Sequence, residues 1–378
     1  MTTATLEFAA GDMALTRPGL GGEKLRAWDA ADELLLDTAQ GRLSQSRGRV
    51  LVVDDQFGAL TLGLSDYAPC SVSDSAVFVG ALRDNASLNP GISEPLPALS
   101  WLNPPAGPFD LVVMRIPRQA DYLGWLLRWV NGVLAEDGCL LAGGMIKHLP
   151  DRSVDVFAGA VTTEAVLPAR KKARVVVCRR GEAQLADWPG NWKGYRVPAL
   201  PVPIEAMPAV FARDKLDVGT RELLPLVGPA VASLPHGARI LDLACGNGVL
   251  GLAALACRDD VRVDFSDVSS QAVASVRRNV SRCGNEDRAM TFHQDGIDGS
   301  AGHYQLILLN PPFHEGGVVG DHIALRLFHD ASRHLLPQGK LLMVGNRHLG
   351  YHHTLRRYFS QIIQRAASPR FVVFEAGL

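Results

Sequence analysis

Arg239 to Leu252 reads RILDLACGNGVLGL. Its first residues follow an apolar strand pattern, its middle is Ala244-Cys245-Gly246-Asn247-Gly248, and its end opens an apolar helix. A buried strand that turns through glycines into a helix is the first βα step of an open α/β sheet built to hold a nucleotide-like ligand. Gly246, Gly248 and Gly251 have the spacing for a tight turn, close ligand approach and contact between helix and sheet. A plain strand-to-helix turn satisfies the same spacing. So does a site for NAD or for S-adenosylmethionine (SAM), with Asp267 at the end of the next strand placed to bind ribose hydroxyls. Asp242 tilts the choice. A carboxylate inside the strand can orient the loop or meet a ligand's ammonium, whereas it would repel a pyrophosphate.

Working outward, apolar runs at 261–266, 289–293, 304–309 and 339–345 alternate with helical patterns at 249–257, 269–282, 321–335 and 352–360. That alternation predicts a mostly parallel sheet covered by helices on both faces. The first half repeats the order. RVLVVDDQFGALTL (49–62) lies over the opening stretch, FDLVVMRIP (109–117) over YQLILLNPP (304–312), and LAEDGCLLAGG (134–144) over LLPQGKLLMVG (335–345). RVVVC (174–178) lies over RFVVF (370–374), and all four offsets fall between 190 and 201. Any two α/β units share apolar strands, but here the loop ends match in order too, which favours a tandem duplication. The expected layout is a first domain at 1–196, a proline-rich extended linker at 197–208 and a second domain at 209–378. A helix over 25–39, with Leu25, Trp28, Leu35 and Leu36 on one face, precedes the first sheet.

The chain of 378 residues, 47% hydrophobic and 20% charged, is long enough for two full cores. Six cysteines without a CxxC pair argue against a disulfide framework or a zinc site, and point to a reducing, cytoplasmic setting. No secretion signal and no bilayer-length apolar run is apparent. A formal net charge of −1 provides no global attraction for nucleic acid, so an RNA partner would have to meet local patches. Arg170-Lys171-Lys172, followed by Arg174, Arg179 and Arg180, is one such patch, unless it is only a solvated edge. Arg347 and His348, followed by His352, His353, Arg356 and Arg357, form another. These histidines lack acidic partners at a metal-binding spacing, so no metal site is expected. Arg326 and Arg333 read as a solvent face or an RNA-facing one. No oligomeric state can be read from the chain, and a monomer is compatible with it.

The strand LILL (306–309) runs into Asn310-Pro311-Pro312-Phe313. In an open α/β sheet this corner emerges at the carboxyl ends of the strands, beside the glycine loop. The prolines fix φ and remove donors. The Asn310 side-chain oxygen and the Pro311 carbonyl then form an acceptor pair suited to the two hydrogens of an exocyclic amine, and Phe313 provides a face for a base. Such an amine has its lone pair delocalised into the ring. Holding both hydrogens out of the ring plane localises that pair and aims it at an electrophilic methyl group. Asn-Pro-Pro alone could be a turn. Phe313 and the glycine loop together favour a methyltransferase.

These motifs resemble the SAM-dependent class I amino-methyltransferases. With VGNRHLGYHH (344–353), VFARDKLDVGTRELL (210–224) and LRAWDAADELLL (25–36), the chain resembles bacterial ribosomal RNA guanine-N2 methyltransferases over nearly its whole length. LRAWDAADELLL and DQFGAL (55–60) are similar to the large-subunit branch. The resemblance implies two tandem Rossmann-like methyltransferase domains, the first degenerate. It also implies SAM as cofactor and 23S rRNA as partner, with guanine 1835 the methylated base. By motif match Asp242, Gly246 and Gly248 would line the methionine end, Asp267 the ribose and Asp295 the adenine side, with Ala244 and Asn247 also binding the cofactor. Phe211 and Asp217 would close over the cofactor, while Asn310, Pro311 and Phe313 hold the guanine. In the first copy Val52, Gln56 and Thr61 replace Asp242, Gly246 and Gly251, and Arg115 stands for Asn310, so that copy is expected to recognise RNA without catalysing. Competing readings are the 16S sister activity, an adenine-N6 or protein-glutamine methyltransferase, a non-catalytic rRNA assembly factor and an NAD oxidoreductase. The last has no use for Asn310-Pro311-Pro312-Phe313.

Overall fold

The computed structural model describes residues 3–9, 11–18, 26–299, 301–312, 314–315, 318–319 and 322–378. The chain divides into two compact units, Met1–Asn191 and Trp192–Leu378.

The first unit begins with an antiparallel pair, β1 (Thr3–Phe8) and β2 (Gly11–Thr16). It continues through α1 (Ala30–Leu43), β3 (Val50–Val53), α2 (Ala59–Gly63), β4 (Cys70–Val72), α3 (Val77–Ser87) and β5 (Phe109–Arg115). α4 (Ala120–Val133), β6 (Leu134–Met145), α5 (Ser153–Ala158), β7 (Thr162–Val166) and β8 (Ala173–Arg179) complete it. Its main sheet has the order β4-β3-β5-β6-β8-β7 and turns antiparallel only at β8 and β7. α1 starts later than the sequence pattern suggests, because Asp29 forms a reciprocal cap: its carboxylate accepts from the Ala31 N–H while Asp32 accepts from the Asp29 N–H. Trp28 still joins the core with Leu35 and Leu36, and Leu25 lies outside the described residues.

In the second unit β9 (Lys193–Tyr195) pairs with β10 (Ile204–Ala206), and α6 (Val218–Ala232) follows. Then come β11 (Arg239–Leu243), α7 (Val249–Cys257), β12 (Arg262–Asp267), α8 (Ser270–Arg282), β13 (Ala289–His293) and β14 (Tyr304–Leu309). The pair β15 (His314–Glu315) and β16 (Val318–Val319) leads to α9 (His322–His334), β17 (Leu335–Asn346), α10 (Tyr351–Leu355), β18 (Gln361–Ala367) and β19 (Phe371–Gly377). The sheet order is β13-β12-β11-β14-β17-β19-β18. Beyond β13 this is the order of the first unit, element for element. Where β13 would stand, the first unit keeps a single parallel bridge, Val72 to Leu99. Alternation along the central strands feeds two cores. Ile240, Leu306, Leu308 and Leu342 pack on one face, and Leu241, Ile307, Leu309 and Leu341 on the other.

The proline-rich segment 197–208 is not a free linker. Val197, Leu200, Ile204 and Ala206 are buried in the second unit, so the division falls before Trp192. Its prolines are spaced among apolar side chains whose burial outweighs the extended, solvated state. All six cysteines are free. Among the described residues no helix is long and apolar enough to cross a membrane, and no group of His, Cys, Asp and Glu could hold a metal ion.

Candidate active site

β11 and β14 are parallel neighbours in the register Leu243 to Leu309, so the glycine loop and Asn310 leave the sheet side by side. The loop needs left-handed backbone at Ala244 (φ +55°), Gly246 (φ +55°) and Gly248 (φ +81°), the last being the N-cap of α7. Space around Gly246 is open, whereas a methyl group on Gly251 would collide with the Phe265 ring. One glycine thus leaves room for a ligand and the other brings α7 against the sheet.

Polar side chains hold this loop, among them the Asn279 amide, which donates to the Asn247 carbonyl at 3.0 Å. Asp242, 1% exposed, accepts from the Gly251 N–H at 2.8 Å, so of its two readings the structure supplies the loop-orienting one. Asp267 accepts from the Gly246 N–H at 2.8 Å and from the Ser269 N–H at 2.9 Å. Asn247 donates to the Tyr195 hydroxyl at 3.0 Å and the Ala212 carbonyl at 3.3 Å. Phe211, beside Ala212, is 64% exposed.

Burial pushes the Asp242 carboxyl up to about 8, against the Gly251 N–H and with the help of the Asp267 charge. An acid raised above its unfolded value costs the fold stability as the pH climbs from that value to the folded one. The melting temperature of the ligand-free protein is therefore expected to fall by several degrees between pH 5 and about pH 8. Asp242→Asn, which mimics the protonated acid, should flatten that slope in a thermal melt series. An unchanged slope in the variant would assign the pH dependence to other groups.

Asn310 is fixed from behind. Its Nδ2 donates to Asp217 Oδ2 at 3.0 Å and to Thr220 Oγ1 at 2.9 Å. A carboxylate can only accept, so Asp217 dictates that the amide nitrogen faces it and the oxygen faces away. That oxygen, Oδ1, is buried and has no hydrogen-bond partner among the described residues. Asp217 also caps α6 by accepting from the Thr220 N–H at 2.9 Å. Asp217 thus orients the Asn310 amide and caps α6 at once. Thr220 escaped the sequence reading, although an Asp immediately before the helix that opens Val218-Gly219-Thr220 is an N-cap signal. Pro311 is buried. Phe313 lies outside the described residues.

Asp295, after β13, forms a two-pronged ion pair with Arg326 of α9. This gives Arg326 a partner that its helical face could not reveal, since the acid comes from another element.

The first unit keeps the backbone of the site and changes its chemistry. Asp54 (φ +56°) and Gly58 (φ +96°) take the left-handed places of Ala244 and Gly248. With Val52 in the strand, the acid that receives the α2 amide sits in the loop instead. Asp55 accepts from the Thr61 N–H at 2.8 Å and the Thr61 hydroxyl at 2.9 Å. Arg115, in the place of Asn310, pairs with Asp29 at 2.7 Å and Asp32 at 2.9 Å at the start of α1, where Asn310 meets Asp217 and Thr220 at the start of α6. Burial pushes Asp32 up to about 7 even so. Ser73 has the register position of Asp267.

Of the basic run, Arg170 pairs with Asp37 at 2.6 Å and Lys171 with Glu33 at 2.7 Å, both acids from α1. Lys171 and Lys172 form a tight left-handed turn, and only Lys172 of the three lacks an ion-pair partner among the described residues. Two of three expected phosphate contacts are thus partly neutralised. Arg347 and His348 follow β17, on the same edge of the sheet as Asn310.

Comparison with known proteins agrees with this division. The RLMG N-terminal domain family matches residues 3–182, and the methyltransferase small domain family matches residues 201–375. A protein named ribosomal RNA large subunit methyltransferase G from Alcanivorax borkumensis is 38% identical over 96% of this chain and 94% of its own length. One of the same name from Pseudomonas aeruginosa PAO1 is 38% identical over 98% of both chains. A solved T. thermophilus 16S rRNA N2 G1207 methyltransferase, in complex with AdoMet and guanosine, superposes with a TM-score of 0.77 at 20% identity, covering 100% of this chain and 98% of that one.

Proposed function

Since the chain belongs to the ribosomal RNA large subunit methyltransferase G family, we propose that it methylates the exocyclic N2 amine of a guanine in ribosomal RNA, using SAM. The finer assignment we propose is guanine 1835 of 23S rRNA. The observation that carries the reading is Asn310 Oδ1, a buried acceptor turned away from Asp217 and without a hydrogen-bond partner among the described residues. A buried unpaired acceptor costs roughly 1–3 kcal/mol, a cost that an arriving N–H donor removes.

The residues suit the cofactor. Gly246 borders open space, Asp267 fixes the Gly246 amide at the end of the next strand, and Asp242 holds the loop in shape. Bound there, SAM supplies an electrophilic methyl group. The chain contributes position. Asn310 Oδ1 and the Pro311 carbonyl accept the two amine hydrogens and turn the nitrogen lone pair out of conjugation. Asp217 and Thr220 prevent the amide from rotating. The target base leaves its stack to reach this corner, and the energy for that comes from contacts to the flanking RNA. The first unit, with an ion pair in place of the amine clamp, serves recognition.

Mapping N2-methylguanosine in 23S and 16S rRNA from cells lacking this chain tests the reading. Loss at guanine 1835 of 23S rRNA, restored by purified protein and SAM, supports it. Loss confined to 16S rRNA moves the assignment to the sister activity, and an unchanged map overturns it.

A further inference from the structure

From Ala331 through Phe374 the chain contains no aspartate or glutamate, although the whole protein has 39 of them and a net charge of −1. The same stretch carries Arg333, Lys340, Arg347, Arg356, Arg357, Arg365 and Arg370. The fold gathers part of it around a cavity of about 550 Å³ in the second unit, lined by Asn346, Arg347, His352, Arg356, Gln364 and Phe374. Lys340 and Arg365 are paired with Glu375. Among the described residues Arg347 and Arg356 have no carboxylate partner. The Arg347 guanidinium donates to the Ser368 carbonyl, and the His352 ring lies against Phe374 with centroids 6.4 Å apart. Desolvation, and after it the neighbouring His353 and Arg356, lower the His352 pKa.

Resting on the function proposed above, we infer that this cavity takes a nucleotide of the RNA strand that flanks the target guanine. Its size suits one nucleotide. Arg347 and Arg356 supply charge for a phosphate. The Asn346 and Gln364 amides offer both donors and acceptors for a base edge. Its place suits a flanking nucleotide as well. Leu309 pairs with Met343, so Asn310 leaves the sheet beside Val344. Asn346 is then one strand over and two residues along, about 8 Å from strand geometry. A strand whose guanine sits at Asn310 passes the mouth of this cavity within a nucleotide or so.

The test uses the full chain, SAM and a 23S rRNA fragment carrying the unmethylated target guanine. Arg356→Gln is expected to lower the slope of log affinity against log salt by about 0.7, and Arg347→Gln with Arg356→Gln by about 1.4. The double variant should bind the fragment roughly tenfold more weakly at physiological salt, with SAM affinity and melting temperature near wild type. Gln364→Ala should lower kcat/KM several-fold without changing the salt slope. If the Arg347 change disturbs the Ser368 turn, Arg356→Gln decides alone, because its side chain has no hydrogen bond among the described residues. Unchanged RNA affinity and slope in the variants, with a wild type that methylates the fragment, would overturn this inference only. A cavity that binds free GMP while its variants keep full RNA affinity would overturn it too. A wild type that neither binds nor methylates the fragment would overturn the functional reading along with it.

Discussion

Asn310→Ala is expected to lower kcat by roughly 10²-fold or more, the scale of deleting one preorganised partner of a transition state. SAM affinity should stay close to wild type, because the glycine loop is held by Asp242, Asp267 and Asn247 and none of these touches Asn310. The fold should tolerate the change, since Asp217 keeps its cap on α6 through the Thr220 N–H. Asp217→Ala separates orientation from contact. It leaves Asn310 in place and frees its amide to rotate, so kcat should drop less than in Asn310→Ala while SAM affinity again holds. Single-turnover methyl transfer beside calorimetry with SAM distinguishes these cases. Activity within a few fold of wild type in Asn310→Ala would reduce Asn310 to a turn residue.

Arg115→Met is expected to destabilise the first unit by about 3–5 kcal/mol, because removing one member of a buried ion group leaves the others uncompensated. Arg115 serves both Asp29 and Asp32, with its side chain 13% exposed and that of Asp32 only 9%. Asp32 already sits near 7, so the loss should be relieved by acid. In the variant the folded state retains protons that the unfolded state gives up above about pH 4, and stability therefore rises as the pH falls from 7 toward 5. A thermal melt of the full chain should show one transition moved down by roughly 10 °C and the other unmoved. A first-unit transition within a degree or two of wild type would mean that the Asp29–Asp32–Arg115 group contributes no net stability.

Much of the site is legible in the sequence. Strand, glycine loop and helix at 239–252 and the Asn310-Pro311-Pro312 corner are local signals, set by periodicity, by φ requirements and by residues adjacent in the chain. The paired order of the two halves was legible for the same reason, since apolar runs and loop ends survive changes in chemistry. The sequence also marked Val52 and Arg115 as departures from Asp242 and Asn310. It could not say what the departures do. Arg115 meets Asp29, 86 residues away, and Asp55 takes over the amide that Asp242 holds in the other unit.

By itself, then, the sequence determined the sheet, the loop and the residues at its edge, because each depends on neighbours along the chain. Tertiary structure alone decided which way the Asn310 amide points, because the donor–acceptor choice is made by Asp217, 93 residues earlier. It alone decided which cations are paired, since α1 acids reach Arg170 and Lys171 while Arg347 and Arg356 meet no carboxylate among the described residues. It also drew 197–208 into the second core, where the burial of Leu200 and Ile204 outweighs the stiffness of the prolines. Charge pairing, amide orientation and burial are properties of three-dimensional neighbours, and no window of sequence contains them.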